Sequence, residues 1–292
     1  MSTTYPGGYP PSGSDPQGDR GDWGDRGDRE ANGWRHTKGT GKLHPGQAIA
    51  WGFKAIAANP GPMLVIGLVI AVLKEMTVLP WVGPLAAIGS LLIIPVILSV
   101  ALQQTLKTRF QHVQAPAYGK ALGMLGVFIA VSFGIVLLLT FIALVFAVAG
   151  MDISLFPTDP EAAVDHPAAR RGQMILVVSF VVTCLLIAPF FVLPAYFAAD
   201  DNGSFGNALG AGLSAAARNY LSTLAIAVFI IVLGIIAQLP AYLASEGMLN
   251  GLLGTFLTIV LSLFITPYSY LVGAHAYRQV SGGPVPHESA VY

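Results

Sequence analysis

Lys74 and Glu75 stand side by side inside residues 60–82, a run that is otherwise almost wholly apolar. Ionisable groups inside a membrane span are costly and normally face protein or a water-filled path. Adjacent residues on a helix point about 100° apart, so these two do not form a simple side-by-side ion pair. The chemistry open to them is a proton- or substrate-linked polar site within the membrane. The plainer alternative is that Lys74 snorkels outward towards Trp81, seven residues or roughly 10 Å away along a helix. A second pair, Asp200 and Asp201, closes another apolar run in the sequence ADDNGS. Two carboxylates there could take a cation or a basic partner, and they oppose the macrodipole at a helix C-terminus. The alternative is a solvated turn.

Beyond these pairs the residues offer little chemistry. The six histidines, at 36, 44, 112, 166, 275 and 287, have no metal-ligand spacing, and Cys184, the only cysteine, lies among Val, Leu and Ile. There is no Gly-x-Ser-x-Gly and no phosphate-binding loop. The expectation is a non-enzymatic protein with no catalytic residue, cofactor or metal. The few basic residues of the 104–120 loop suit anionic lipid headgroups better than nucleic acid.

The elements that carry these residues are membrane helices. Of 292 residues, 54% are hydrophobic and only 10% charged, and the mean hydropathy is +0.67. A soluble domain carries about 25% charged residues. Between Arg109 and Asp152 the only charge is Lys120, and between Arg171 and Asp200 there is none. A helix needs about 20 apolar residues to cross a bilayer. Six segments qualify: Pro60–Val82, Leu85–Gln104, Leu122–Gly150, Met174–Ala198, Tyr220–Leu243 and Leu249–Ala274. The tight PWVGP turn makes the first two a hairpin, and whether residues 62–103 are two full spans or a re-entrant hairpin is open. Residues 1–44 are rich in Gly, Pro, Asp and Arg and read as a disordered tail without a signal-peptide h-region. Residues 45–280 form the membrane domain, and 281–292 a short disordered C-terminal tail.

Orientation follows the basic residues of short loops. One side collects Lys38, Lys42, Lys54, Lys107, Arg109, Lys120, Arg218 and Arg278. The other holds Arg170 and Arg171, in a loop that also carries Asp152, Asp159, Glu161 and Asp165. Both termini are therefore expected in the cytoplasm, in a multi-pass protein of the cytoplasmic membrane.

A short phrase is written twice. GQAIAWGFKAIAAN at 46–59 and GNALGAGLSAAARN at 206–219 agree at Gly46/Gly206, Ala48/Ala208, Gly52/Gly212, Ala55/Ala215, Ala57/Ala217 and Asn59/Asn219. At 100° per residue, Ile49, Phe53 and Ile56 share one face of the first copy, and Phe205, Leu209 and Leu213 one face of the second. Each copy reads as an amphipathic helix lying in the cytoplasmic interface, anchored by those residues. Asn59 and Asn219 mark the junction with the next span, where Asn tolerates left-handed backbone or caps the following helix. Each copy precedes two crossings, which gives a weak parallel internal repeat. The fold class is thus all-α: six transmembrane helices and two interfacial ones.

The stretch ending Asn-Pro-Gly-Pro and the later PAYFAADDNGSFGNALGAGL resemble the glycine/proline-rich integral membrane proteins of actinobacteria. Those are in turn similar to the membrane domain of some glycerophosphoryl diester phosphodiesterases. The resemblance covers residues 43 to 281 and implies the helical membrane fold. It implies no hydrolase activity, because the phosphodiesterase barrel with its metal-binding carboxylates and histidines is absent. Two functional readings follow. The first is a scaffold or lipid-interacting component of the cell envelope, with membrane lipids as partners and the tail recruiting cytoplasmic proteins. The second is a small-molecule transporter or lipid flippase using Lys74 and Glu75. Small-residue runs at 118–123 and 247–254 suit close helix contacts, within one chain or in an oligomer.

Overall fold

Prolines and asparagines decide where this chain turns. The computed structural model describes residues 34–107, 116–150, 167–200 and 203–289. Nine helices are present among them: α1 (Pro45–Ala58), α2 (Pro60–Met76), α3 (Gly83–Leu106), α4 (Tyr118–Gly150), α5 (Pro167–Ile187), α6 (Pro189–Ala199), α7 (Phe205–Arg218), α8 (Tyr220–Ser245) and α9 (Gly251–Ser281). Two short strands, β1 (Trp34–Lys38) and β2 (Pro284–Ser289), flank them. Pro45, Pro60 and Pro189 each open a helix, where the missing N–H leaves no gap. Pro60 also drives the preceding Asn59 out of helical geometry, to φ −142° and ψ 64°. The result is a 103° bend between α1 and α2 with one residue between them. A milder 43° bend separates α5 from α6 at Ala188.

The helices α3, α4, α8 and α9 are long and apolar enough to cross a membrane. The count rises to six if each bent pair, α1 with α2 and α5 with α6, is one span. The run expected to reach Val82 stops sooner, since α2 ends at Met76 and residues 77–82 are a turn.

Helix α9 is the hub, packed against α1, α2, α3, α6 and α8. Small residues permit these close approaches. A Cβ at Gly67 would run into the Leu263 carbonyl, so α2 meets α9 backbone to backbone. The dry core sits beside the C-terminal half of α9. There Leu271, Ala274 and Tyr277 pack with Trp51, Met63, Leu98, Leu102 and Tyr196. Val272 and Ala276 pack on the other side with Leu43, Ala48, Leu193 and Ile226.

The two copies of the repeated phrase are the 14-residue helices α1 and α7. Two of their shared pairs of small residues, Ala48/Ala208 and Gly52/Gly212, are buried against protein. A side chain at Gly52 would strike the Tyr268 ring, and one at Gly212 would strike Pro194. Of the expected anchors, Ile49, Ile56, Phe205 and Leu209 are half-buried against the core, whereas Phe53 (65% exposed) and Leu213 (38%) face outward. The asparagines act otherwise than expected. Neither has positive φ, and neither side chain caps the following helix. Asn59 Nδ2 donates to Gln104 Oε1 at 3.1 Å, and the Asn219 amide accepts from Leu43 N and donates to the Gly41 carbonyl, both at 3.0 Å. Each thus ties its bend to a neighbouring chain segment, and Asn219 Nδ2 also donates to the Ala215 carbonyl of its own helix at 3.1 Å.

The largest correction concerns the tails. Residues 34–44 and 284–289, expected to be disordered, are ordered and join the two ends of the described chain. β1 and β2 pair antiparallel, with His36 opposite Pro286 and Lys38 opposite Pro284, and an irregularity between Trp34 and His36. Trp34 is 1% exposed and its indole N–H donates to the Gln104 carbonyl at 3.0 Å. His36 Nε2 donates to the Thr105 carbonyl at 2.8 Å. The ribbon thus caps the C-terminal end of α3. The rest of the 1–44 tail and the 151–166 loop lie outside the described residues.

Two predictions follow from this packing. Gly52→Val and Gly212→Val should each destabilise by about 1–3 kcal/mol through overpacking. Gly46→Ala and Gly206→Ala, where nothing lies within 4 Å of a new Cβ, should leave thermal melting in detergent unchanged or slightly raised. The second concerns pH. Burial, ahead of the nearby Arg278 and His287 charges, lowers the pKa of His36 below its usual 6.5 despite the Thr105 bond. The neutral ring is the folded form, so its contribution is complete above about pH 6.5 and is lost as pH falls through the lowered value. Trp34 fluorescence should therefore report undocking of the ribbon in acid, and His36→Gln should shift that transition.

Candidate functional site

A cleft of about 420 Å³ opens among α2, α3, α4, α6, α8 and α9. Its size falls in the usual range of roughly 300–1,000 Å³ for small-molecule sites. The walls are mostly apolar, with Ile94, Leu98, Leu125, Phe128 and Ile230 prominent. The polar lining is sparse and comes chiefly from one stripe of α9, Ser262, Thr266, Ser269 and Tyr270, together with Gln238 of α8 and Lys74 of α2. From Ser262 to Tyr270 the stripe runs eight residues, roughly 12 Å along the helix.

Lys74 lies at the rim, exposed on one side and lining the cleft on the other. Side chains on a helix lean towards its N-terminus. That tendency favours the direction away from Trp81, which is 92% exposed. Glu75 is half-buried and does not line the cleft. Of the expected intramembrane pair only Lys74 lines the cleft, while the Glu75 charge still acts on its ammonium.

Gln238 was not anticipated. Its Nε2 is buried without a hydrogen-bond partner among the described residues. A buried, unpaired amide donor costs about 1–3 kcal/mol, so a cleft ligand with an acceptor would relieve it. The signal was present in the sequence as a lone amide in the apolar run 220–243. Tyr196 was also missed. Its hydroxyl donates to the Tyr270 carbonyl at 2.7 Å and joins α6 to α9 at the inner end of the cleft.

Asp200 belongs to a different assembly. Its carboxylate faces Arg278 of α9, with Oδ1 and Oδ2 each 3.3 Å from a guanidinium nitrogen. The Tyr277 hydroxyl donates to Oδ2 at 2.6 Å. Arg278 is only 4% exposed, and its Nε donates to Thr105 Oγ1 at 2.9 Å. The bidentate pair ties α6, α9 and α3 together beneath the strand ribbon. Asp200 is thereby a partner of a buried cation, neither a solvated turn nor a free metal ligand. Asp201 lies outside the described residues. Around this pair, His275 Nε2 donates to the Pro286 carbonyl at 2.9 Å, and its Nδ1 accepts from Gln279 Nε2 at 3.0 Å, which fixes a neutral tautomer. The same Gln279 amide oxygen accepts from His44 N at 2.5 Å.

The cleft can therefore bind, and the Asp200–Arg278 assembly can hold. Removing the carboxylate would strand a buried guanidinium, at a cost of about 3–5 kcal/mol. Asp200→Ala is expected to lower the melting temperature of the purified protein sharply. Lys74→Gln, at the exposed rim, should leave it nearly unchanged. No family model, curated protein or solved structure matches this chain.

Proposed function

We propose that this chain is a non-enzymatic integral membrane protein of the cytoplasmic membrane that holds a lipid-like amphiphile in its cleft. One observation carries the reading: a mostly apolar cleft within the helix bundle has a thin polar stripe and a single ammonium at its rim. Apolar walls suit acyl chain, and sparse polar groups suit a small headgroup. The polar groups are hydroxyls, an amide and an ammonium, a set made for recognition. A nucleophile paired with a base is not among them.

In this reading the chain crosses the membrane six times, with α5 and α6 as one broken span and the 17-residue α2 crossing without α1, at the short end of the length a span needs. The basic residues Lys38, Lys42, Lys54, Lys107, Lys120 and Arg218 support a cytoplasmic position for the ribbon end. Helices α1 and α7 lie at that interface, with outward-facing Phe53 and Leu213 reaching into the inner leaflet. A cleft of this kind favours uptake or passage of a lipid over a purely structural scaffold.

The test uses a plugged cleft. Gly234 lines the cleft and has nothing within 4 Å of a new Cβ, so Gly234→Trp should fold and fill the space. Protein extracted in lipid-preserving polymer particles, then analysed by native mass spectrometry, should retain a lipid that the Trp variant loses. Equal retention by both proteins, or none by either, would return the protein to the scaffold class.

A further inference from the structure

The cleft has a neighbour. A second cavity of about 330 Å³ lies among α4, α5, α6 and α8, lined by Ser132, Cys184, Ile187 and Ala227. The two share Phe191, Val192 and Ile230 as a common wall. This wall stands at the break between α5 and α6, where Pro189 opens the second helix. Phe191 meets Phe128 edge to face, with ring centroids 4.6 Å apart. Apart from Ser132 and Cys184 the second cavity is bounded by apolar side chains. Nearby Val177, Val178, Phe180 and Leu186 of α5 are all exposed, which is the surface a bilayer would cover.

Charge and polarity are therefore graded along one path. The first cavity holds Lys74, among the described residues the only charged side chain lining either cavity, and the unpaired Gln238 amide. In the middle are the aromatic pair and Ile230. At the other end is an apolar chamber beside an apolar helix face. Resting on the amphiphile reading above, we propose that the site takes a single-chain anionic amphiphile, its carboxylate or phosphate at Lys74 and Gln238 and its acyl tail running past Phe191 into the second cavity. An anionic headgroup, with two or more oxygens, offers both donors what they lack in the cleft: a counter-charge for the ammonium and an acceptor for the buried amide. The tail replaces contact with lipid by contact with Phe128, Phe191 and Ile230. Phe191 acts as the partition between the chambers, and the helix break behind it gives its backbone room to shift.

The experiment uses the full chain in nanodiscs of zwitterionic phosphatidylcholine. The probes are a hexadecanoic acid carrying a diazirine near the chain end, the corresponding alcohol, and a lysophosphatidic acid with the same label. A charge-assisted contact is worth about 1.5–3 kcal/mol, so the better anionic probe should label at least about tenfold lower concentration than the alcohol. Its label should fall in peptides around Cys184 and Ile187. Whichever anionic probe labels more strongly identifies the headgroup as carboxylate or phosphate. Lys74→Gln should bring that probe to the level of the alcohol, and Gln238→Leu should weaken it while sparing the alcohol. Equal labelling by all three probes, unchanged in Lys74→Gln but abolished in Gly234→Trp, would overturn the anionic assignment and leave the amphiphile reading standing. Labelling unaffected by Gly234→Trp would overturn both.

Discussion

The fold hangs on a buried cation. Arg278 lies near the C-terminus of the central helix, almost wholly out of water, where the helix dipole favours positive charge. A lone guanidinium there would be untenable. Asp200 at the end of α6, Thr105 at the end of α3 and the Tyr277 ring beside it supply its charge and hydrogen-bond partners. Each partner sits on a different element, so satisfying one charge fixes where three helices finish. The strands then close over the same ends, using the Gln104 and Thr105 carbonyls that the C-terminus of α3 leaves unpaired. One half of the bundle is consequently rigid, dry and polar-locked. The other half is free to leave space between helices, and the cleft occupies it.

This division explains what the sequence made legible. Helices with long apolar runs are dictated by local composition, and α3, α4, α8 and α9 appear where the runs lie. The break at Ala188 and the bend at Asn59 were marked by Pro189 and Pro60. The repeated phrase is two helices of equal length, α1 and α7. What periodicity alone could not give is the packing of its shared glycines: Gly52 and Gly212 are the seats against which Tyr268 and Pro194 press.

The ribbon and the ion pair could not be read locally. WRHTK and PVPHES show no alternating apolar pattern, and two prolines lower the strand propensity of the second. Their pairing joins residues about 250 positions apart in the chain, beyond any window of periodicity. Asp200 and Arg278 are likewise linked only through the fold. Lys74 was legible because a charge in an apolar run is conspicuous. Gln238 was equally placed but carries no charge, and a single neutral amide barely alters the apolar pattern of its run.

The meeting of the chain's two ends has a consequence for biosynthesis. β1 leaves the ribosome before the nine described helices and β2 after them, so Trp34 and His36 wait through the synthesis of all nine for the strand that pairs with them. Helices α2 to α8 can enter the bilayer in that interval, but the polar ends of α3 and α6 stay unlocked until Arg278 and β2 arrive. Closure of the ribbon therefore comes only after all nine described helices have been made. A nascent or prematurely stopped chain would display an unpaired strand and a loose helix end to the proteases that survey the membrane.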